Sequence, residues 1–245
     1  MPRPKMIIFD YGHTLLYEHS IDFLRGHEAL FEHIRVNMNN LTPMQVNEFS
    51  NELYYKILGG IRDIGFELHQ WQTQRFLYEY LGIEFNLNHQ EIESVLWKNA
   101  APGAVLPNVE VMLNYISAKG IRSGVISNIG WSGTALAERI NTLLPNNQFE
   151  FIIASSEYVF RKPSPYLFEL ALRKAGLDAG EVWFCGDNVK ADIEGASAVG
   201  IFPVWYEHIT VVDPWGGRVE DIKPSCQHLH IHDWLELIKV LEEEL

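Results

Sequence analysis

Short apolar runs recur along the chain in two rhythms. "KMIIF" (5–9), "RSGVIS" (122–127), "FEFIIA" (149–154), "EVWFC" (181–185) and "IFPVW" (201–205) are rich in Ile, Val and Phe. Runs of that length and composition read as strands buried on both faces. From the second onward they alternate with segments whose apolar residues fall three and four apart: "NVEVMLNYISAKG", "SGTALAERINTLL", "SPYLFELALRKAG" and "KADIEGASAVG". This alternation predicts an α/β fold with a parallel sheet covered by helices on both faces. Three of the four helical segments end on glycine, as a helix C-cap does.

More than a hundred residues separate the first strand from the second, far more than one crossover needs. Within them "SIDFLRGHEALFEHIRVNM", "TPMQVNEFSNELYYKILGGIRD", "ELHQWQTQRFLYEYLGI" and "NHQEIESVLWKNA" carry helical periodicity, with Ser, Thr or Asn near three of the starts. The chain therefore divides into an α/β core, residues 1–16 and 101–245, and an inserted helical domain, residues 17–100, which returns through "APGAVLPN". Tyr54, Tyr55, Phe66, Trp71, Phe76, Tyr78 and Tyr80 fall in the insert. Their ordinary use is in the core of a small bundle, leaving a minority to touch a ligand.

Composition narrows the function classes. A formal net charge of −13 and the lack of any basic run argue against a nucleic-acid partner. No apolar run approaches the roughly 20 residues of a membrane span, and "MPRPKMIIFD" passes straight into a strand, unlike a signal peptide. A cytoplasmic protein is expected. The two cysteines, Cys185 and Cys226, lack metal-like spacing, and Cys185 reads as a small buried hydrophobe. "HLHIH" sets His228, His230 and His232 on one face of a late strand. An edge strand with Leu229 and Ile231 inward accounts for that pattern, and a metal-binding face is the alternative. "EHITVVDPWGGRVEDIKP" reads as a surface loop whose Trp215 packs on the core or a neighbour, and "DWLELIKVLEEEL" as a closing amphipathic helix.

In a parallel sheet, ligands bind beyond the carboxyl ends of the strands. The residues just after the apolar runs are Asp10, then Ser127 and Asn128, then Lys162 in "SSEYVFRKPSP", then Asp187 and Asp192 in "CGDNVKAD". A lone carboxylate, a hydroxyl, a lysine and two further carboxylates suit phosphoryl transfer through an aspartyl-phosphate. Asp10 attacks phosphorus, hard oxygen ligands hold Mg²⁺, and Lys162 and Ser127 bind the equatorial oxygens.

Four motifs in order, "FDYGHTL", "VISN", "RKPSP" and "GDNVKADIEGA", together with the helical insert, make the chain similar to the haloacid dehalogenase-like (HAD) hydrolase superfamily over nearly its whole length. The resemblance implies a three-layer, Rossmann-like core with a mobile helical cap. It implies that Asp10 is the nucleophile and a Mg²⁺ ligand, and that the carbonyl of Gly12 is another ligand. Ser127 and Lys162 would hold the phosphoryl group, with Asn128 and Asn188 in support, and Asp187 and Asp192 would serve the metal. The substrate would be a small phosphorylated metabolite and the protein a monomer or homodimer.

One position departs from the pattern. The superfamily's phosphatases usually carry a second aspartate two residues past the nucleophile, where this chain has Gly12. Glycine keeps the carbonyl but removes the acid/base group, a change typically worth about 10²- to 10⁴-fold. His13 is the nearest replacement for proton transfer, although an extended backbone over residues 10 to 14 would send neighbouring side chains to opposite sides. Two relatives without that aspartate define rival readings. The 2-haloacid dehalogenases lack the acidic "GD" pattern present here, and the phosphonoacetaldehyde hydrolases use a cap lysine, for which Lys56 is the one position available well inside the insert. A phosphate- or metabolite-binding protein impaired by Gly12 is the non-enzymatic alternative.

Overall fold

The computed structural model describes residues 3–208 and 222–243, so Trp215 lies outside the described residues. The chain opens with β1 (Met6–Phe9) and β2 (Leu16–Glu18). It then runs through α1 (Phe23–Phe31), β3 (Ile34–Asn37), α2 (Pro43–Asn51), α3 (Gly59–Asp63), α4 (Gln70–Leu81), β4 (Ile83–Phe85) and α5 (His89–Ala100). It re-enters by β5 (Gly103–Val105), followed by α6 (Val109–Ala118), β6 (Arg122–Ser127), α7 (Gly133–Leu143), β7 (Phe149–Ala154) and α8 (Pro165–Ala175). β8 (Val182–Gly186), α9 (Gly195–Ala198), β9 (Phe202–Tyr206), β10 (Leu229–Ile231) and α10 (Trp234–Glu243) complete it.

Six strands form one sheet in the order β10-β9-β8-β1-β6-β7, with every neighbouring pair parallel. Alternation along each strand sorts its side chains between two cores. Ile7 and Phe9 join Val125, Trp183 and Val204 under α6, α7 and α10, while Met6 and Ile8 join Ile126, Ile153 and Phe184 under α8 and α9. Both faces are covered, which gives three layers. The continuous apolar runs follow from this, because neither face of a central strand meets water. Gly176 closes α8 at φ +65°, and the glycines ending two other helical segments, Gly120 and Gly200, lie at φ +70° and +83°. The left-handed region that a C-cap requires admits glycine most readily.

The insert is helical, with two departures from its periodicity. "HIRVNM" was expected to continue the first helix, yet Ile34–Asn37 forms β3 and pairs antiparallel with β4. Ile34, Val36 and Ile83 are β-branched and suit a pleated surface better than a helix end. Between α2 and α3 the helix widens to a π-helical segment over Glu52–Ile57. Thr42 and Asn88 cap α2 and α5 with reciprocal side-chain bonds, but Asp22 rather than Ser20 caps α1.

The aromatic residues of the insert correct the bundle-core expectation. Of the seven, Tyr78 alone joins the insert's buried apolar cluster, which is otherwise mostly aliphatic: Leu30, Val46, Leu53, Leu77 and Leu96. Phe76 and Tyr80 are 50% and 65% exposed and stack on each other. A body this small has too little interior to bury every ring. The two linkers meet in an antiparallel ladder, β2 against β5, that pairs Leu16 with Val105 and Glu18 with Gly103. Among the described residues, no helix is long and apolar enough to cross a membrane.

Candidate active site

The chain fills the sheet on one side of β1 with β6 and β7 and on the other with β8, β9 and β10. Strand order therefore reverses beside β1, and a crevice opens at its carboxyl end. Asp10 stands there, with its N–H donating to the Cys185 carbonyl at 2.8 Å. Lys162 arrives from the loop after β7 and is 4% exposed. Its ammonium lies 2.5 Å from Asp10 Oδ1 and 2.7 Å from Asp192 Oδ1, and it donates to the Ile126 carbonyl at 3.0 Å.

Asn128, expected at the phosphate, commits its amide to the backbone of Lys162. Its Oδ1 accepts from Lys162 N at 2.7 Å, and its Nδ2 donates to the Lys162 carbonyl at 2.8 Å. It sets the height of the lysine loop over Asp10. Asn188 does similar work, capping the π-helical segment Val189–Glu194 through a bond from Ala191 N, while its own N–H donates to Asp192 Oδ2 at 3.0 Å. Ser127 ends β6, buried at the crevice wall.

Asp10, Asp187 and Asp192 each present a carboxylate oxygen within 4.8 Å of the others. Burial opposes a charge on Lys162, but Asp10 and Asp192 outweigh it and hold the ammonium above the usual lysine range. Burial pushes Asp192 up to about 6 against the pull of Lys162, with the charge of Asp10 adding to the rise. Asp192 is held at both carboxylate oxygens, Oδ1 facing the Lys162 ammonium at 2.7 Å and Oδ2 accepting from Asn188 N. Three carboxylates whose oxygens converge beside a single ammonium carry excess negative charge and fit a divalent cation with hard oxygen ligands.

The glycine of "CGDN" belongs to this arrangement, since a Cβ on Gly186 would overlap the carboxylate and Cβ of Asp192. Gly186→Ala is expected to displace Asp192 and weaken divalent-cation binding by about tenfold or more, as ligand misplacement does. Calorimetric titration with Mg²⁺ measures it, and unchanged affinity would remove Asp192 from the metal set.

Residues 11 to 15 do not continue β1 in extended form. Leu15 and Leu16 both donate to the Tyr11 carbonyl at 3.0 Å, so the chain turns sharply, and His13 takes a left-handed φ of +55°. The alternation invoked against His13 therefore does not apply. His13 lines the crevice and stacks on His208 at 6.2 Å and 8°. Gly12, by contrast, needs no glycine for space: a Cβ there meets no atom within 4 Å. Cys185 is fully buried and its thiol is pushed up by desolvation, which leaves it inert as a nucleophile. Lys56 is 74% exposed at its side chain, beside Glu52, and does not line the crevice.

Two buried acids that the sequence reading passed over hold the insert against the core. Glu67 accepts from Ser155 and Arg62, each at 3.0 Å, and from Arg161. Glu93 has no exposed surface and accepts from Ser132 N at 2.7 Å, Ser132 Oγ at 2.5 Å and Trp71 Nε1 at 2.8 Å. It thus places a carboxylate at the amino end of α7, where a helix favours negative charge. Its position beside Ile92, Leu96 and Trp97 was the available signal, an acid among residues of a buried face. Glu93→Ala is expected to lower stability by about 1–3 kcal/mol, because it strands three buried donors. Denaturant melts measure this, and a loss within error would mean that water replaces the acid.

The fold and site define a class: a Rossmann-like α/β protein with a helical insert whose residues share a cleft with a carboxylate–lysine centre. The chain belongs to the haloacid dehalogenase-like hydrolase family, whose model matches residues 4–200. It is 31% identical over 139 residues to a glyceraldehyde 3-phosphate phosphatase of Pyrococcus abyssi, covering 57% of this chain and 56% of that protein. It is 30% identical over 134 residues to a phosphoglycolate phosphatase of Yersinia pestis, covering 55% of each. These matches span about half the length of either relative. A longer match, 26% identical over 214 residues, covers 85% of this chain and 82% of the glyceraldehyde 3-phosphate phosphatase of Pyrococcus furiosus. Among solved structures, a 2-haloacid dehalogenase from Pseudomonas syringae pv. Tomato has a TM-score of 0.63 at 21% identity, with full coverage of both chains. That last likeness establishes the fold alone.

Proposed function

We propose that this chain is a Mg²⁺-dependent phosphohydrolase acting on a small phosphorylated metabolite through an aspartyl-phosphate at Asp10. The observation that carries the reading is the buried Asp10–Lys162–Asp192 cluster with Asp187 beside it. An ammonium at 2.5 Å orients the Asp10 carboxylate and presents positive charge to an incoming phosphate. Asp10 attacks phosphorus, the leaving oxygen departs, and water then cleaves the acyl phosphate to return Asp10 and inorganic phosphate. Ser127 and Lys162 bind the phosphoryl oxygens. Asp10, Asp187, Asp192 and the carbonyl of Gly12 would hold Mg²⁺, which when bound offsets the mutual repulsion of carboxylate and phosphate.

Residues 17–100 act as the cap in this reading. Tyr54, Tyr55 and Arg62 from the insert line the same cleft, of about 1290 Å³, as Asp10 and Lys162. That combination suits a polar metabolite with its phosphate seated at the base. The phosphatase names of the relatives support a phosphorylated substrate. Schiff-base chemistry at Lys56, of the phosphonoacetaldehyde hydrolase type, finds no support, since that side chain is 74% exposed. Gly12 favours a second reading, a phosphate-binding protein that turns over slowly. A panel of sugar, hydroxy-acid and acyl phosphates assayed with Mg²⁺ separates the two: turnover of at least one establishes the enzyme, and saturable binding of substrates with no turnover establishes the second.

A further inference from the structure

The edge strand of the sheet carries a second group of metal-type ligands outside the carboxylate centre. β10 pairs parallel with β9, placing His230 beside Trp205 and Ile231 beside Tyr206. Glu207, just past β9, extends the ladder by donating its N–H to the Ile231 carbonyl at 2.8 Å. His230 and His232 lie two residues apart and so share a face, while Ile231 between them is buried. On that face Glu207, His230 and His232 each offer a ligand atom within 4.8 Å of the others. His228, from the same sequence pattern, is not in this group.

Each ring is held in a definite pose. Trp205 stacks on His230 at 4.1 Å and 12° between planes. His232 Nδ1 lies 2.8 Å from the Glu207 carbonyl oxygen. A proton on Nδ1 makes that contact a hydrogen bond and leaves Nε2 with a lone pair, the arrangement by which backbone carbonyls orient metal-binding imidazoles. His230 Nε2 sits 3.0 Å from Glu207 Oε2. Two atoms bound at about 2.0–2.1 Å to one tetrahedral ion lie about 3.3 Å apart, so this pair needs little movement to share a cation.

The geometry points to a Zn²⁺ site formed by Glu207, His230 and His232 at the rim of the cleft, separate from the carboxylate centre. Two imidazoles and one carboxylate match borderline transition ions, whereas Mg²⁺ prefers all-oxygen sets. Three protein ligands leave a fourth position to water. Glu207 and Trp205 also line the cleft, and Trp205 Nε1 donates to the Asp187 carbonyl at 3.2 Å. The two centres are thus joined by one indole ring.

Untagged full-length protein in saturating Mg²⁺, titrated calorimetrically with Zn²⁺ and by absorption with Co²⁺, tests the site. One ion per chain is expected, with affinity falling about tenfold or more in His230→Ala and in His232→Ala, and unchanged in His228→Ala. The variants' melting curves, matched to the wild type without metal, separate lost ligands from lost fold. Zinc lodged at Asp10, Asp187 and Asp192 instead would survive both ligand substitutions, and that result overturns the assignment. So does an absence of saturable uptake, or an equal loss in His228→Ala, which would indicate a diffuse histidine patch.

Discussion

Asp10→Asn is expected to lower phosphate release by at least about 10³-fold on any substrate the protein turns over, because the amide cannot act as the attacking oxygen anion. The change is nearly isosteric. It leaves Lys162 facing Asp192 at 2.7 Å and keeps the backbone bond from residue 10 to the Cys185 carbonyl. Loss of activity with an intact melting transition therefore reports chemistry rather than unfolding. Trapping adds a second readout: acid quench of the wild type with ³²P-labelled substrate should leave label on the protein, and Asp10→Asn should leave none. Activity that persists in the variant would sink the aspartyl-phosphate route.

Gly12→Asp is expected to act in the opposite direction. A positioned acid/base is typically worth about 10²- to 10⁴-fold, and the side chain at residue 12 can supply none. Alkyl phosphates, whose leaving oxygen needs a proton, should gain most. Acyl phosphates, with leaving groups stable as anions, should gain little. Space is available, since a Cβ at this position meets no atom within 4 Å, and the backbone there does not require glycine. The added charge also enlarges an already acidic cluster, which would tighten divalent-cation binding. Steady-state kcat on paired alkyl and acyl substrates reads the effect. Equal rates in variant and wild type would indicate that another group already moves the proton; His13, in its turn at the crevice wall, is then the residue to substitute next.

The core was legible along the chain because its period is short-range: strands buried on both faces are continuous apolar runs, and the helices between them carry their own caps. The candidate residues at the sheet edge were legible for a related reason, since a parallel sheet exposes whatever follows each strand at one edge. Lys162 and Asp192 needed no distant information to be noticed, and neither did the glycine at position 12. The insert was less legible. β3 and β4 are three or four residues each and stabilise one another across some fifty positions, so neither carries a local signal stronger than its helical neighbours. The aromatic residues at positions 54 to 80 differ in burial according to which helix lies opposite, and that is a property of packing.

By itself the sequence determined the alternation of strand and helix, the long helical stretch between the first two strands of the main sheet, and the carboxylates and lysine that follow its strands, all of which depend on spacing along the backbone. Only the tertiary structure decided that Asn128 anchors the lysine loop, that His13 sits in a turn, that Glu67 and Glu93 bind the insert to the core, and that Glu207 joins two of the three edge histidines. Each of these depends on a distance between segments far apart in the chain, set by how apolar faces pack, and no local periodicity encodes such a distance.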